Sequence, residues 1–251
     1  MAAPEIVTAA VLVIGDEILS GRTKDKNIGY IAEYLTALGI DLREVRVVPD
    51  IENEIVNAVN ALRSRYTYLF TTGGIGPTHD DITADCVAKA FGKPLHFHPE
   101  AVAILKERLA KMGGELNEAR MRMTRIPEGA ALVHNKVSGA PGFWIGNVIV
   151  MAGIPTVMQG MLDDVGPKLK GGTKLLSETI RADAKEGDVG TELGQIARAH
   201  PETIIGSYPF LDDKLGPNTN IVVRSRDPRK LAQAKIAVEE MLKKVKAQLA
   251  S

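Results

Sequence analysis

A nearly continuous apolar run from Ile6 to Ile14 constrains the fold of this chain more than any other segment. Such a run predicts a β-strand that is buried on both faces. Similar runs follow, and the segments between them carry apolar residues at helical spacing. Because parallel strands need a crossover between them, this alternation predicts a three-layer α/β/α fold with a mostly parallel sheet.

The same patterns place the individual elements of this sheet and its covering helices. We predict strands over residues 6–14, 42–48, 67–72 and 148–151. We predict helices over residues 28–38, 51–62, 84–91, 99–112, 117–125 and 157–165. Asp50 precedes the second of these helices and is expected to be its N-terminal cap.

The C-terminal part of the sequence follows a different pattern. Pro167 and the pair Gly171-Gly172 predict a linker between a domain over residues 1–170 and a small α+β domain over residues 171–251. The small domain is expected to hold one sheet and two helices. We predict strands from residue 175, over 203–207 and over 221–224, and helices over 192–199 and 228–249. Gly206 to Pro209 is expected to end a strand in a turn.

Composition and charge exclude several classes of protein. The 31 basic and 31 acidic residues give a formal net charge of zero, so the sequence predicts no nucleic-acid partner. It shows neither a long uncharged apolar stretch nor a signal peptide, and we expect no membrane partner and a cytoplasmic location. The single cysteine, Cys86, excludes an intrachain disulfide and is expected to be a core residue.

The loop from Thr71 to Thr83 is the strongest functional signal in the sequence. It joins a predicted strand to a predicted helix. Because Gly73, Gly74 and Gly76 have no Cβ atom, a ligand can approach the backbone of the loop closely. Glycines of this kind turn N–H groups inward as an anion-binding nest at a helix N-terminus. The loop matches neither G-x-G-x-x-G nor G-x-x-x-x-G-K-[ST], so it predicts a different phosphate cradle.

Three loops follow strands that are expected to end at the same edge of the sheet. The first carries Gly15, Asp16 and Glu17; the others are the glycine loop and the loop with Gly153 and Pro155. Ligands of such folds bind beyond the carboxyl ends of the strands.

The carboxylates of these loops are the candidate metal ligands. Asp80 and Asp81, joined by Asp16 and Glu17, are candidates to hold a divalent cation such as Mg²⁺. Two alternatives stay open: Asp81 or Thr83 caps the following helix, and Asp16 with Glu17 forms a solvated turn.

Four ordered motifs carry a resemblance to a known family: Gly15 to Gly21, Thr72 to Thr83, Gly139 to Phe143, and Gly153 to Pro155. Together they resemble the molybdopterin-binding (MoCF biosynthesis) domain. The closest version is the N-terminal part of the competence/damage-inducible protein A (CinA) family, and the molybdopterin-binding-like domain of FAD synthases is also similar. The C-terminal stretch resembles the KH-like middle domain of CinA proteins, without a Gly-x-x-Gly RNA clamp.

The resemblance implies metal-dependent pyrophosphate hydrolysis of a dinucleotide-like substrate, of the ADP-ribose or FAD class. Asp81, Asp80 and Glu17 would be the catalytic residues, with K⁺ as a further cofactor. Thr78 and Ser138 would orient an oxygen and Lys136 would face the leaving phosphate. The alternative is a non-catalytic protein that binds molybdopterin or a nucleotide, so whether the chain is an enzyme stays open.

The resemblance carries further expectations. The NMN deamidase domain of longer CinA proteins is expected to be absent, and a homo-oligomer, dimer or trimer, is expected to form. Ala152 stands where relatives commonly carry proline, which predicts a looser loop. His79 is assigned as a solvated loop residue rather than a general base. Several methionines are assigned either to the core or to an oligomer contact: Met121, Met123, Met151, Met158 and Met161.

Overall fold

The structure is a computed structural model that describes residues 5–214 and 216–249. Residues 1–4, Leu215 and residues 250–251, which the predicted domains include, lie outside the described residues. The chain divides into two compact units, one formed by Glu5–Gly172 and the other by the chain from Thr173 onward. None of the described helices is long and apolar enough to cross a membrane.

The larger unit is built on a six-stranded sheet. Its strands are β1 (Val7–Ile14), β2 (Ile40–Val48), β3 (Tyr68–Thr72), β6 (Ala131–Val133), β7 (Gly142–Ile145) and β8 (Val148–Met151). Their order in the sheet is β2-β1-β3-β8-β7-β6. The first three strands and β8 pair in parallel, whereas β6 and β7 pair antiparallel at one edge. The prediction of a mostly parallel sheet is confirmed. The chain leaves β1 toward β2 on one side and reaches β3 on the other, so the strand order reverses at β1.

The larger unit has its helices between and around these strands, and most of them contribute buried residues to the two cores of the sheet. The helices are α1 (Asp16–Leu19), α2 (Asn27–Ala37), α3 (Glu52–Arg65), α4 (Thr83–Phe91), α5 (Pro99–Lys111), α6 (Glu118–Met121) and α7 (Pro155–Val165). Side chains of β1 alternate between the two layers. Leu12 packs with Leu62 of α3, whereas Val11 packs with Leu35 of α2 and Leu162 of α7. Period-two alternation along a strand that is buried on both faces therefore creates two cores.

The segment predicted as a helix over 117–125 folds differently. The short helix α6 ends at Met121 and a single 3₁₀ turn, Arg122–Thr124, leads into β5 (Arg125–Pro127). The strand β5 pairs antiparallel with β4 (Leu95–Phe97). Ile126 is buried, so pairing and burial in β5 override the local helical pattern.

The smaller unit is a three-stranded antiparallel sheet with two helices, as predicted. Its sheet has the order β10-β11-β9, from β9 (Leu176–Arg181), β10 (Ile204–Asp212) and β11 (Gly216–Ser225). The helices are α8 (Glu186–Ala199) and α9 (Pro228–Leu249). Leu193 of α8, Val223 of β11 and Leu242 of α9 form the core of this unit.

The expected turn over Gly206 to Pro209 does not form, because these residues lie inside β10. Proline lacks the N–H group that a central strand would donate, but β10 is an edge strand and tolerates it.

Candidate functional site

The glycine loop begins where β3 ends, and its backbone requires glycine at two successive positions. Gly73 has φ of 104° and Gly74 has φ of 66°. Thr83, the first residue of α4, closes the loop: its hydroxyl donates to the Gly73 carbonyl oxygen at 2.9 Å and its N–H donates to the Gly74 carbonyl oxygen at 3.0 Å. Thr83 therefore holds the loop in place, rather than capping α4 with its side chain.

The N–H groups of the loop differ in their availability. The N–H of Gly73 donates to the Met151 carbonyl oxygen at 3.2 Å, which corrects the prediction that Gly73 offers a donor to phosphate. Within the part of the chain that the structure describes, the N–H groups of Gly74, Ile75 and Gly76 have no protein acceptor. Successive free N–H groups beside a helix N-terminus are typical of an anion-binding nest.

Asp81 closes a tight turn instead of capping α4. Its Oδ2 atom accepts hydrogen bonds from the N–H of Thr78 at 2.8 Å and from the Thr78 hydroxyl at 2.5 Å. The residue that precedes α4 is Ile82, and no side chain caps it. Thr78 thus orients the carboxylate, and its predicted contact with a substrate oxygen stays a prediction. His79 is fully exposed, as expected for a solvated loop residue.

The loop after β1 forms the short helix α1, and Asp50 holds its start. The N–H of Asp16, the first residue of α1, donates to the Asp50 carboxylate at 3.0 Å. The prediction that Asp50 caps α3 is wrong, because Ile51 directly precedes α3 and no side chain caps it. Burial raises the pKa of Asp50, and the negative charges of Asp16, Glu17 and Asp80 add to this effect. Three of the four predicted carboxylates therefore share one electrostatic environment with Asp50, which the sequence prediction placed at the start of α3. Its position after β2, a neighbouring parallel strand, was the signal for a role at this edge.

Proximity of the carboxylates does not amount to a preformed metal cage. In residues 5–214 and 216–249, no group of three or more His, Cys, Asp or Glu side chains is arranged to hold a metal ion. The assignment of Asp81, Asp80 and Asp16 as metal ligands therefore stays a prediction.

A cavity of about 650 Å³ lies at this edge of the sheet. Its polar wall contains Gly74, Gly76, Asp81 and Glu17. Its remaining walls are mostly apolar and come from α5, the segment over residues 137–140, and the start of α7. The apolar side chains include Leu105, Leu109, Met112, Met123, Val137, Ile154, Val157 and Met161. The cavity is large enough for a ring system with a phosphate at one end.

The predicted site residues divide into those that line this cavity and those that do not. The lining ones are Glu17, Gly73, Gly74, Gly76, Asp81, Ser138, Gly153 and Pro155. Among the described residues, the predicted ones outside the lining are Gly15, Asp16, Thr78, Asp80 and Lys136. The three predicted loops thus line one cavity in the structure.

The segment after β6 is organised by Asn135, which the sequence reasoning missed. The buried Asn135 side chain accepts from the N–H groups of Val137 and Ser138 at 3.1 and 2.8 Å and from the Ser138 hydroxyl at 3.1 Å. The hydroxyl of Ser138 also accepts from the N–H of Ala140 at 3.2 Å. Ser138 therefore shapes its own loop, while Lys136 is exposed to solvent.

The loop after β8 packs directly on the glycine loop. A Cβ atom at Gly153 would lie 3.3 Å from the Cα atom of Gly73. Asn27, a second residue that the sequence reasoning missed, donates from Nδ2 to the Gly153 carbonyl oxygen at 2.8 Å. The N–H of Ala152 donates to the sulfur atom of Met161 at 3.3 Å, a contact that proline could not make. Ala152 thus gains a hydrogen bond where the sequence predicted only a loosened loop.

The methionines fall into two groups. Met151, Met158 and Met161 are buried in the core, whereas Met121 and Met123 are half-buried. Cys86 is also buried in the core, as predicted, and burial raises the pKa of its thiol to about 12.

The family described as "probable molybdopterin binding domain" matches residues 10–171. The chain belongs to this family. Residues 174–250 match a second description, "FAD synthase, middle domain". The molybdopterin-binding family thus accounts for the unit that contains the cavity, and the family resemblance stated from the sequence motifs is confirmed.

Similar proteins extend this relation. A protein of Archaeoglobus fulgidus is 32% identical over 232 residues, which cover 92% of this chain and 96% of that protein. A probable FAD synthase of Caenorhabditis briggsae is 30% identical and covers 94% of this chain, which spans only 49% of that protein. The crystal structure of CinA from Thermoplasma acidophilum, a protein described there as having unknown function, is 33% identical with a TM-score of 0.60. The match covers 65% of this chain and 98% of the CinA chain.

Proposed function

We propose that this member of the molybdopterin-binding family hydrolyses the pyrophosphate linkage of a dinucleotide-like substrate, of the ADP-ribose or FAD class. In this reaction a water oxygen bonds to one phosphorus atom and the bridging oxygen leaves with the other phosphate. ADP-ribose would give AMP and ribose 5-phosphate, and FAD would give AMP and FMN. The probable FAD synthase among the similar proteins supports a substrate of this class.

The observation that carries the proposal is the composition of the cavity. One wall offers the free N–H groups of Gly74, Ile75 and Gly76 together with the carboxylates of Glu17 and Asp81. The opposite walls are apolar, which suits an adenine or isoalloxazine ring. The N–H groups would bind and orient a phosphate, and the apolar walls would exclude bulk water from the reacting bond.

The residues present fit a divalent cation that binds together with its substrate. Mg²⁺ commonly takes one or two carboxylates and completes its coordination with substrate phosphates and water. Glu17 and Asp81 are two carboxylates that line the same cavity as the glycine loop, and they would hold such an ion. The ion would supply positive charge and an acidic bound water. Thr78 holds one oxygen of Asp81 by two hydrogen bonds and leaves the other for a ligand.

A second candidate function is binding of molybdopterin or a nucleotide without hydrolysis. The hydrogen bonds from Thr78 to Asp81 favour it, because they give this carboxylate a structural role in the turn of the glycine loop. Ring and phosphate binding requires only the nest and the apolar walls.

A product-release assay distinguishes these functions. The purified chain is incubated with ADP-ribose, FAD or NAD, with K⁺ and with or without Mg²⁺, Mn²⁺ or Co²⁺, and AMP is followed by chromatography. We expect metal-dependent AMP that falls at least about 100-fold in Asp81→Asn and in Glu17→Gln, the size reported for lost electrostatic groups. Glu33→Gln is the matched control, because Glu33 is an exposed glutamate of α2 outside the cavity lining.

The outcomes are exclusive. The proposed chemistry would be contradicted if AMP were released at the same rate with and without metal. It would also be contradicted if both carboxylate variants released AMP at the wild-type rate. Absence of AMP with tight nucleotide or molybdopterin binding would establish the second candidate.

A further inference from the structure

The carboxylates of Glu17 and Asp81 would repel a bound phosphate, so a positive side chain nearby would strengthen its binding beyond what the N–H groups give. Among the described residues that line the 650 Å³ cavity, there is no lysine or arginine. A narrow crevice of about 10 Å³ adjoins it and shares Gly74, Ile75, Gly76, Asp81 and Met123 with its lining. Arg122 and Arg125 line that crevice.

The two arginines differ in how their charge is used. Arg125 makes a two-pronged ion pair with Asp85, with distances of 2.9 and 2.7 Å between its nitrogens and the carboxylate oxygens. Arg122 has no carboxylate partner within the part of the chain that the structure describes. Its hydrogen bond to the Asp81 carbonyl oxygen is long, at 3.4 Å. The Nε atoms of both arginines are buried without an acceptor, so the two differ in the carboxylate partner that Arg125 has.

A guanidinium that is partly buried and incompletely hydrogen-bonded is costly unless an anion joins it. The planar fork of N–H donors in a guanidinium matches the geometry of phosphate oxygens. We propose that Arg122 is a substrate-binding residue that contacts the pyrophosphate group at the rim between crevice and cavity. This inference rests on the proposed substrate class, and it adds the positive side chain that the predicted Lys136 was assigned to supply.

The position of Arg122 in the chain explains how it reaches the site. The helix α6 ends at Met121, and Arg122 begins the 3₁₀ turn that leads into β5. Met121 and Arg122 both keep right-handed helical backbone angles, and the chain becomes extended only at Arg125. Helical geometry therefore places the Arg122 side chain at the Asp81 carbonyl group, beside the glycine loop.

The test compares Arg122→Gln with Arg120→Gln in the full chain. Arg120 is a matched control, because it lies two residues earlier, in α6, and donates to the Glu115 carbonyl oxygen at 2.6 Å, outside the cavity lining. Affinities for ADP-ribose and for inorganic pyrophosphate are measured by calorimetry at fixed free Mg²⁺, and kcat and KM are measured for ADP-ribose. We expect Arg122→Gln to weaken both affinities about 10- to 100-fold, as for a lost charged hydrogen bond. Arg122→Lys should recover part of this loss.

The outcomes separate this inference from the proposed hydrolysis. If the wild type hydrolyses ADP-ribose and Arg122→Gln keeps both affinities and kcat/KM within about twofold, Arg122 has no such role and the proposed function stands. If the wild type binds without hydrolysis and Arg122→Gln loses the binding, the inference survives alone. Failure of the wild type to bind ADP-ribose, FAD or pyrophosphate would overturn both.

Folding is checked by the thermal unfolding midpoint of each variant. If Arg122→Gln unfolds, Arg122→Lys keeps the charge and the aliphatic stem and carries the comparison. A folded Arg122→Lys with wild-type affinity for pyrophosphate and a wild-type KM for ADP-ribose would then overturn the inference, since a point charge does not reproduce the fork of a guanidinium.

Discussion

Gly74 is confined by two separate constraints. Its φ of 66° lies in the left-handed region, which is unfavourable for residues with a Cβ atom. A Cβ atom there would also lie 2.2 Å from the hydroxyl oxygen of Thr83. The same hydroxyl holds the Gly73 carbonyl oxygen, so the constraint on Gly74 comes from the bond that keeps the loop closed.

We therefore expect Gly74→Ala to reduce the free energy of unfolding by about 2–4 kcal/mol, the sum of backbone strain and crowding. Gly21→Ala is the matched control, because Gly21 has φ of 72° and nothing within 4 Å of its Cβ position. It should cost only about 1 kcal/mol. Urea unfolding of both variants measures the difference, and equal losses would show that the Thr83 contact has no effect.

The interaction between the two residues can be isolated with a double substitution. Thr83→Ala removes the hydroxyl that meets the new Cβ atom, although the Thr83 Cβ atom stays 3.2 Å away. The double variant should therefore be more stable than the sum of the two single losses predicts. Strict additivity would contradict the crowding argument.

At the scale of elements, an ion-pair network joins three elements of the smaller unit. The Asp183 carboxylate accepts from Lys246 of α9 at 2.9 Å and from Arg181 of β9 at 2.6 Å. Arg181 also pairs with Asp212 of β10 at 2.6 Å. The hydrogen bonds from Lys246 and Arg181 lower the pKa of Asp183 to about 2.

Because this pKa is lowered on folding, Asp183 stabilises the folded state above its unfolded pKa of about 3.9. That stability is lost as the pH falls from about 4 to about 2. We expect Asp183→Asn to reduce the free energy of unfolding at pH 7 by at most about 1 kcal/mol, since the network is partly exposed. Asparagine tolerates the φ of 50° at this position, so the backbone should persist.

Unfolding midpoints of the wild type and Asp183→Asn at pH 7 and pH 3 test this expectation. The difference between the two midpoints should be smaller at pH 3 than at pH 7. An equal difference at both pH values would show that protonation of Asp183 is not coupled to stability.

Elements with strong periodicity were predictable from the sequence, and short paired ones were not. The long apolar run of β1 and the helical spacing in α2 and α3 appear as expected. The strands β6 and β7 have only three and four residues, too few to show a period, and they are strands because they pair with each other and with β8. The helix α8 begins at Glu186, six residues before the predicted start, because Gly187 and Gly190 weakened its local signal.

The candidate site was predictable as far as local motifs reach. Glycine spacing marks the cradle, and strand ends mark the edge of the sheet where the loops meet. The partners that hold these loops are distant in sequence: Asn27 bonds to Gly153, and Asp50 to Asp16. Arg122 donates to the Asp81 carbonyl oxygen across 41 residues of sequence, a contact that no local pattern shows.

For the whole molecule, the two units have separate cores. The core residues of Glu5–Gly172 form two clusters on the faces of its sheet, and those of the smaller unit form a third cluster. Cys86 belongs to the larger unit, where it is buried with a pKa of about 12. As the single cysteine of the chain, it reports on the opening of that unit alone.

We expect a thiol reagent to leave Cys86 unmodified until denaturant unfolds the larger unit. Leu12→Ala should lower the urea midpoint of labelling, because loss of a buried leucine costs about 2–5 kcal/mol. Leu242→Ala, the matched change in the smaller core, should lower the midpoint of helix loss and leave Cys86 labelling unchanged. Equal shifts in labelling by both variants would mean that the whole chain unfolds as one cooperative unit.

The close contact between Gly153 and Gly73 also limits how this protein can diverge. A methyl group at Gly153 would require the Gly73 backbone to move by a few tenths of an ångström. Hydrogen bonds at the N–H and the carbonyl oxygen of Gly73 oppose that movement. Gly73 cannot vary in the same way, since a Cβ atom there would lie 2.1 Å from the Ile14 carbonyl oxygen. Gly73 therefore excludes a side chain at its own position and restricts the side chain that position 153 can carry.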